Sequence, residues 1–265
     1  MLEKPGTSRR GLLVPVANPE GVAPLLAIAF AASAPDDPPA RVLALVEAQQ
    51  GNAKTGKPSH PEAMKTAMEY ASSRGVTIDP FAMWSANPGA DIIGAAREAN
   101  AGWILLGYHR ASEGTGTMGG VVSDVFNAAI GAEVHVGVFI QGTDQPPERV
   151  FAAVDSGPDG RAALDLAVRI ANGHSAKLRA LLVSNTVARP EEDELTDIIR
   201  DTRKSLGRRF HSDVLSERSL EQLMHQSPGR LLIVGKKLAD DIRLPLDAVP
   251  EGNRCVIVVQ GGRKS

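Results

Sequence analysis

The chain has 265 residues, of which 43% are hydrophobic and 23% charged, with a formal net charge of −2 and a pI near 6.3. That length and apolar content can bury one large core or two of ordinary size, and two is the expectation. Lysine and arginine are scattered with no long run, so the composition offers no electrostatic footprint for nucleic acid or for an acidic membrane. The single cysteine, Cys255, opens the apolar run Cys255–Val259 and reads as a small buried hydrophobe in a reducing compartment, without a disulfide framework.

In chain order, Arg9 and Arg10 precede an apolar run that ends at Asn18-Pro19-Glu20, too short for a signal peptide, so a cytoplasmic chain is expected. The longest apolar stretch, Val22 to Ala34, contains Pro24 and is too short to cross a hydrocarbon core of about 30 Å, so it reads as a core helix. Strands are expected at 12–16, 42–46, 77–83, 103–107 and 134–140, with helices at 21–34, 61–74, 88–99 and 120–130. After a linker at 141–148 come strands at 150–154, 178–183, 210–215, 231–235 and 255–259, with helices at 160–173, 190–206 and 219–226. Short strands alternating with helices of this length imply βαβ units and a parallel sheet.

The two series are copies of one another. Leu12–Gly21 matches Val150–Gly160 with one inserted residue, Trp103–Gly107 matches Leu231–Gly235, and Val138–Gly142 matches Ile257–Gly261. Val154 lies 138 residues after Val16, Gly235 lies 128 after Gly107, and Gln260 lies 119 after Gln141, so the second copy has lost material. The expected architecture is α/β: two Rossmann-like parallel-sheet domains, residues 1–142 and 149–265, in a pseudo-two-fold tandem. The last strands, 134–140 and 255–259, would each be an exposed edge in isolation, and they are expected to pair with each other across the pseudo-dyad.

Ligands of such sheets sit beyond the carboxyl ends of the strands. There the first copy carries Gly107-Tyr-His109-Arg110-Ala-Ser112-Glu-Gly114-Thr115-Gly116-Thr117-Met-Gly119-Gly120-Val121, a loop of small residues between a strand and a helix. That arrangement aims backbone N–H groups and a helix N-terminus at an anion and reads as a phosphate cradle. The hydroxyls of Ser112, Thr115 and Thr117 and the charges of His109 and Arg110 are further candidates.

The frame Gly107-x2-Arg110-x9-Gly120-Val121 resembles the G-x2-G-x9-G-(S/T) nucleotide loop of the universal stress protein family, with Arg110 replacing a glycine and Val121 the hydroxyl residue. His109-Arg110 followed by Gly119-Gly120, together with the opening Leu12–Glu20, looks most like the domains attached to the cytosolic ends of bacterial cation/proton antiporters and some amino-acid permeases. The resemblance covers about Arg10 to Gln260. It implies a nucleotide- or anion-sensing regulatory domain that binds ATP or AMP weakly through Ala17, Val46, Gly107, His109, Arg110, Gly114, Gly116, Gly119, Gly120 and Val121. Ala17 stands where typical nucleotide-binding members have an aspartate. The implied partners are an adenine nucleotide or other phosphate ligand and an attached or associated membrane transporter domain. The implied place is the cytoplasm or the cytosolic face of the inner membrane. A homodimer beyond the internal pseudo-dimer is left open. The alternatives are a free-standing tandem universal stress protein and a structural dimerisation module without ligand.

The second copy has Asp155-Ser-Gly-Pro-Asp159 after its first strand but only Lys236–Pro245 after its fourth. Asp155 reads most simply as a turn or helix-capping residue. Gly51–Lys57 fits G-x-x-x-x-G-K, but Pro58 replaces the Mg²⁺-binding hydroxyl and disfavours the helix that should start there. His60, His109, His135, His174, His211 and His225 form no i, i+4 pair and have no cysteine partner, so no metal site is expected. No nucleophile, base and oxyanion hole assemble, and the S-G-G-x-D-S loop of ATP pyrophosphatases is absent after both first strands. The chain is therefore expected not to be an enzyme.

Overall fold

The structure, a computed structural model, describes residues 11–47, 61–108, 118–140, 145–183, 191–215, 230–241 and 254–262. The first half supplies β1 (Gly11–Val16), α1 (Val22–Ala32), β2 (Ala40–Glu47), α2 (Glu62–Ser73), β3 (Ile78–Ser85), α3 (Pro88–Glu98), β4 (Ala101–Tyr108), α4 (Met118–Ala129) and β5 (His135–Ile140). The second supplies β6 (Arg149–Val154), α5 (Pro158–Gly173), β7 (Lys177–Val183), α6 (Glu191–Leu206), β8 (Phe210–Leu215), β9 (Arg230–Gly235), α7 (Lys236–Asp241) and β10 (Arg254–Gln260). The expected helix at 219–226 lies outside the described residues. Helix α7, six residues long, is an element that the expected series of helices does not contain.

The ten strands form one sheet in the order β3-β2-β1-β4-β5-β10-β9-β6-β7-β8. Pairing is parallel throughout except at the centre, where β5 and β10 run antiparallel. The order therefore reads the same from both ends, as a pseudo-two-fold axis between β5 and β10 requires. Because that pair is antiparallel, the carboxyl ends of the two halves face opposite edges of the sheet. Pro80 sits in β3, an edge strand, where proline is tolerated.

Alternation along the strands divides the apolar residues between two faces. On one face Leu12, Val14, Trp103, Val150, Ala152 and Ile257 pack against α1, α2 and α5. On the other Leu13, Ile104, Val136, Val138, Phe151 and Val258 pack against α3, α4 and α7. Helices α1 and α5 join the halves: a Cβ on Gly173 would lie 2.2 Å from the Ala31 carbonyl oxygen, so only glycine permits this crossing. Arg169 also reaches Asp37, in the loop after α1, at 3.5 Å. Among the described residues no helix is long and apolar enough to cross a membrane.

Candidate functional site

At the carboxyl edge of the first half, β1 runs out of the core at Val16 and leaves Ala17 exposed. Asn18 accepts a hydrogen bond from the Glu20 N–H at 3.1 Å and so starts the 3-10 turn Pro19–Gly21 that feeds α1. Its side chain caps the turn. Val46 lies half-buried one residue before the end of β2, beside Trp84 of β3. Strand β4 ends with Gly107 and Tyr108, both half-buried and paired with Phe139 and Ile140 of β5.

Helix α4 then begins at Met118, includes Gly119 and Gly120, and returns along the sheet. Gly120 is exposed, and a Cβ placed on it would meet nothing within 4 Å, so no packing contact demands a glycine there. Val121 is half-buried against the apolar cluster of α3 and α4. A core contact accounts for valine at this position, and valine has no group to give a phosphate. The structure thus places Ala17, Val46, Gly107, Gly119, Gly120 and Val121 on strand ends and a helix start at one edge. His109, Arg110, Gly114 and Gly116, with Ser112, Thr115 and Thr117, lie outside the described residues, as does the Gly51–Pro58 segment.

The corresponding edge of the second half is closed by its own chain. Asp155 accepts a hydrogen bond from the Gly157 N–H at 3.1 Å, the turn expected for that residue. Asp159, in the first turn of α5, spans the gap between the strand ends: its two carboxylate oxygens accept from the Lys237 N–H at 3.1 Å and the Gly261 N–H at 2.9 Å. Gly235, the counterpart of Gly107, stands so close that a Cβ would lie 3.1 Å from Asp159 and from Gly160, and on Gly261 it would lie 2.4 Å from the Pro158 carbonyl oxygen. The start of α5 is thus pressed onto the ends of β9 and β10, and α7 follows β9 directly. The sequence marked the missing glycine loop but carried no signal for Asp159, because its two partners lie 78 and 102 residues downstream.

The closed edge also holds the halves together. The Gln260 amide donates to the Phe126 carbonyl of α4 at 2.9 Å, and the Lys236 ammonium lies 5.8 Å from the centre of the Phe126 ring. His135 is half-buried against Trp103 at 4.7 Å between ring centres, and its Nδ1 accepts the Gly262 N–H at 2.9 Å. Ser123 and Asp124 are exposed on α4, as a solvated helix face requires. Among the described residues no three His, Cys, Asp or Glu side chains are grouped to hold a metal.

No family model matches the sequence, and no curated protein is similar to it. Solved structures are similar over nearly the whole chain. The cytoplasmic domain of a prokaryotic cation chloride cotransporter superposes with a TM-score of 0.62 at 12% identity, covering 96% of both chains. A universal stress protein from Archaeoglobus fulgidus DSM 4304 gives 0.56 at 14% identity, covering 97% of this chain and 98% of that one. A functionally unknown protein from Pseudomonas aeruginosa PAO1 gives 0.58 at 15% identity over 95% and 92% of the two chains. At such identities the likeness establishes the fold: this chain has the paired Rossmann-like architecture of these proteins.

Proposed function

We propose that the chain is a regulatory module of a secondary cation transporter, acting on the cytosolic side, in which the first half takes a nucleotide or similar phosphate-bearing anion and the second half is structural. The observation that carries this reading is the inequality of the two edges. Asp159, Gly235 and Gly261 seal the second, whereas the first has an exposed Ala17 and open space at Gly120 beside the start of α4. Similarity to a cotransporter's cytoplasmic domain over 96% of each chain supports the transporter role.

A helix N-terminus offers unpaired N–H groups and the positive end of a dipole to an anion. Closing the loop 108–120 on such a ligand would shift α4, and α4 packs against α3 and touches Gln260 of the second half. One ligand-dependent element would then reach both halves. Control of this kind requires only that the ligand bind two loop states unequally, and a difference of about 1–3 kcal/mol is enough.

Without a hydroxyl at Val121, one charge-assisted hydrogen bond of about 1.5–3 kcal/mol is missing, and Ala17 removes another polar group. Adenine nucleotide binding is therefore expected in the micromolar range or weaker, in the first half alone. Hydrogen exchange with and without ATP or AMP tests this by comparing residues 107–125 with 235–250. Protection confined to the first segment supports the sensor. Protection of neither would leave a dimerisation module, and nanomolar ATP affinity by calorimetry would overturn the weak site.

A further inference from the structure

Two elements of the second half take hold of one residue of the first. Phe126 lies in the last turn of α4, buried in the apolar cluster of α3 and α4. The last carbonyls of a helix have no partner within it. At this end the Ile130 N–H turns back to the Asn127 carbonyl at 3.2 Å and the Ala132 N–H to the Ala129 carbonyl at 2.9 Å. The Phe126 carbonyl is supplied from across the seam: the Gln260 amide, at the end of β10, donates to it at 2.9 Å over a separation of 134 residues. The Phe126 ring is met by Lys236, the first residue of α7. Its ammonium lies 5.8 Å from the ring centre and is held by Asp240 at 2.6 Å.

Each of these two residues is followed directly by one whose N–H belongs to Asp159. The Lys237 N–H donates to one carboxylate oxygen at 3.1 Å and the Gly261 N–H to the other at 2.9 Å. Lys236-Lys237 and Gln260-Gly261 thus stand between two helices, holding α4 by the first residue of each pair and α5 by the second. Next along, Gly262 donates to His135 on β5, which fixes the end of β10 to the sheet of the first half as well.

The two ends of α4 are therefore held unequally. At 1.5 Å of rise per residue, Phe126 lies about 9 Å along the axis from Gly120. Gly120 is exposed, with nothing within 4 Å of its Cβ direction, whereas Phe126 is buried and gripped by two side chains. A shift at the start of α4 is expressed as rotation about the held end. The grip is sensitive to such a rotation: the cation sits close to the outer limit of about 6 Å for a contact with a ring, and a hydrogen bond of 2.9 Å is lost within about 1 Å of stretch. Contacts that are either made or broken convert a small displacement into a discrete one.

We propose that Phe126 is the point through which a ligand at the start of α4 controls the second half, with Lys236 and Gln260 as the positioning residues that carry its motion to α7, the end of β10 and Asp159. The inference rests on the nucleotide reading and adds its route and its output. The output is α7, which exposes Lys237, Asp240 and Asp241.

Hydrogen exchange of the full chain with and without ATP reads both steps. In the parent, ATP should slow exchange at 107–125 and change it at 236–241 and 260–262 by about fivefold or more, the lower end of ordinary coupling between sites. Gln260→Met with Lys236→Met preserves side-chain length while removing the donor and the cation. Protection at 107–125 should remain in that variant, and the response at 236–241 and 260–262 should shrink to about twofold or less. Lys236→Arg keeps a cation over the ring and should keep the response. Where the urea midpoint of the double variant falls, Gln260→Met alone replaces it and should lose part of the response. Protection at 107–125 in the parent without any change at 236–241 and 260–262 overturns the coupling and leaves the nucleotide reading standing. Protection of neither segment overturns both. A full response in the variants that lack the Gln260 donor overturns the route through Phe126.

Discussion

Val138 of β5 and Val258 of β10 stand directly opposite each other in the one antiparallel pair of the sheet, and both are buried. They sit at the centre of the seam, so the contact between the halves is main-chain pairing as well as helix packing. A proline at either position removes an N–H and leaves a buried carbonyl of a neighbouring strand without its donor, at about 1–3 kcal/mol, besides the valine packing. Val138→Pro and Val258→Pro, made separately, are each expected to lower the urea midpoint. Two variants that unfold like the parent would show the seam to be energetically idle.

Two glycines should respond to alanine with opposite signs. At Gly173 the new methyl would meet the backbone of Ala31, with the Cα at 2.7 Å, and neither helix can yield without separating α1 from α5. Gly173→Ala is expected to cost about 1–3 kcal/mol in denaturant unfolding. Gly94 lies inside α3 with nothing within 4 Å of its Cβ direction, so Gly94→Ala should gain about 0.5–1 kcal/mol.

Removing the Asp159 carboxylate should loosen the closed edge. Asp159→Ala leaves the Lys237 and Gly261 amides without an acceptor, and the expected loss is about 1–3 kcal/mol. Faster hydrogen exchange at residues 236–241 and 260–262 would locate it. Asp165→Ala removes only a surface partner of Arg169 and should change stability by less than about 1 kcal/mol.

Stability should fall in mild acid through His174. This residue caps the C-terminus of α5 next to Gly173, and its Nε2 is buried without a hydrogen-bond partner among the described residues. Burial pulls its pKa below the ordinary histidine value, because the charged form loses hydration. The unfolded chain therefore takes up the proton at higher pH than the folded one. The native state loses ground as pH drops below about 6.5, and the loss levels off once the pH is below the folded value. Thermal unfolding of the parent between about pH 7.5 and 5 should show this slope, and His174→Leu should flatten it. An unchanged slope would assign it to other groups.

Much of this protein is written locally. The strand and helix segments follow from apolar periodicity and turn residues, and the matched pairs Trp103–Gly107 with Leu231–Gly235 and Val138–Gly142 with Ile257–Gly261 reveal the duplication. The pairing of β5 with β10 was legible as well, since two apolar last strands in a duplicated chain have few other ways to cover their edges.

What the tertiary structure alone decided depends on register between distant segments. Local composition says nothing of Asp159 meeting Lys237 and Gly261, of Gly173 receiving Ala31, or of α7 following β9 directly. Contacts of this kind are properties of how strands and helices are aligned, and alignment is set by burying the apolar residues between them.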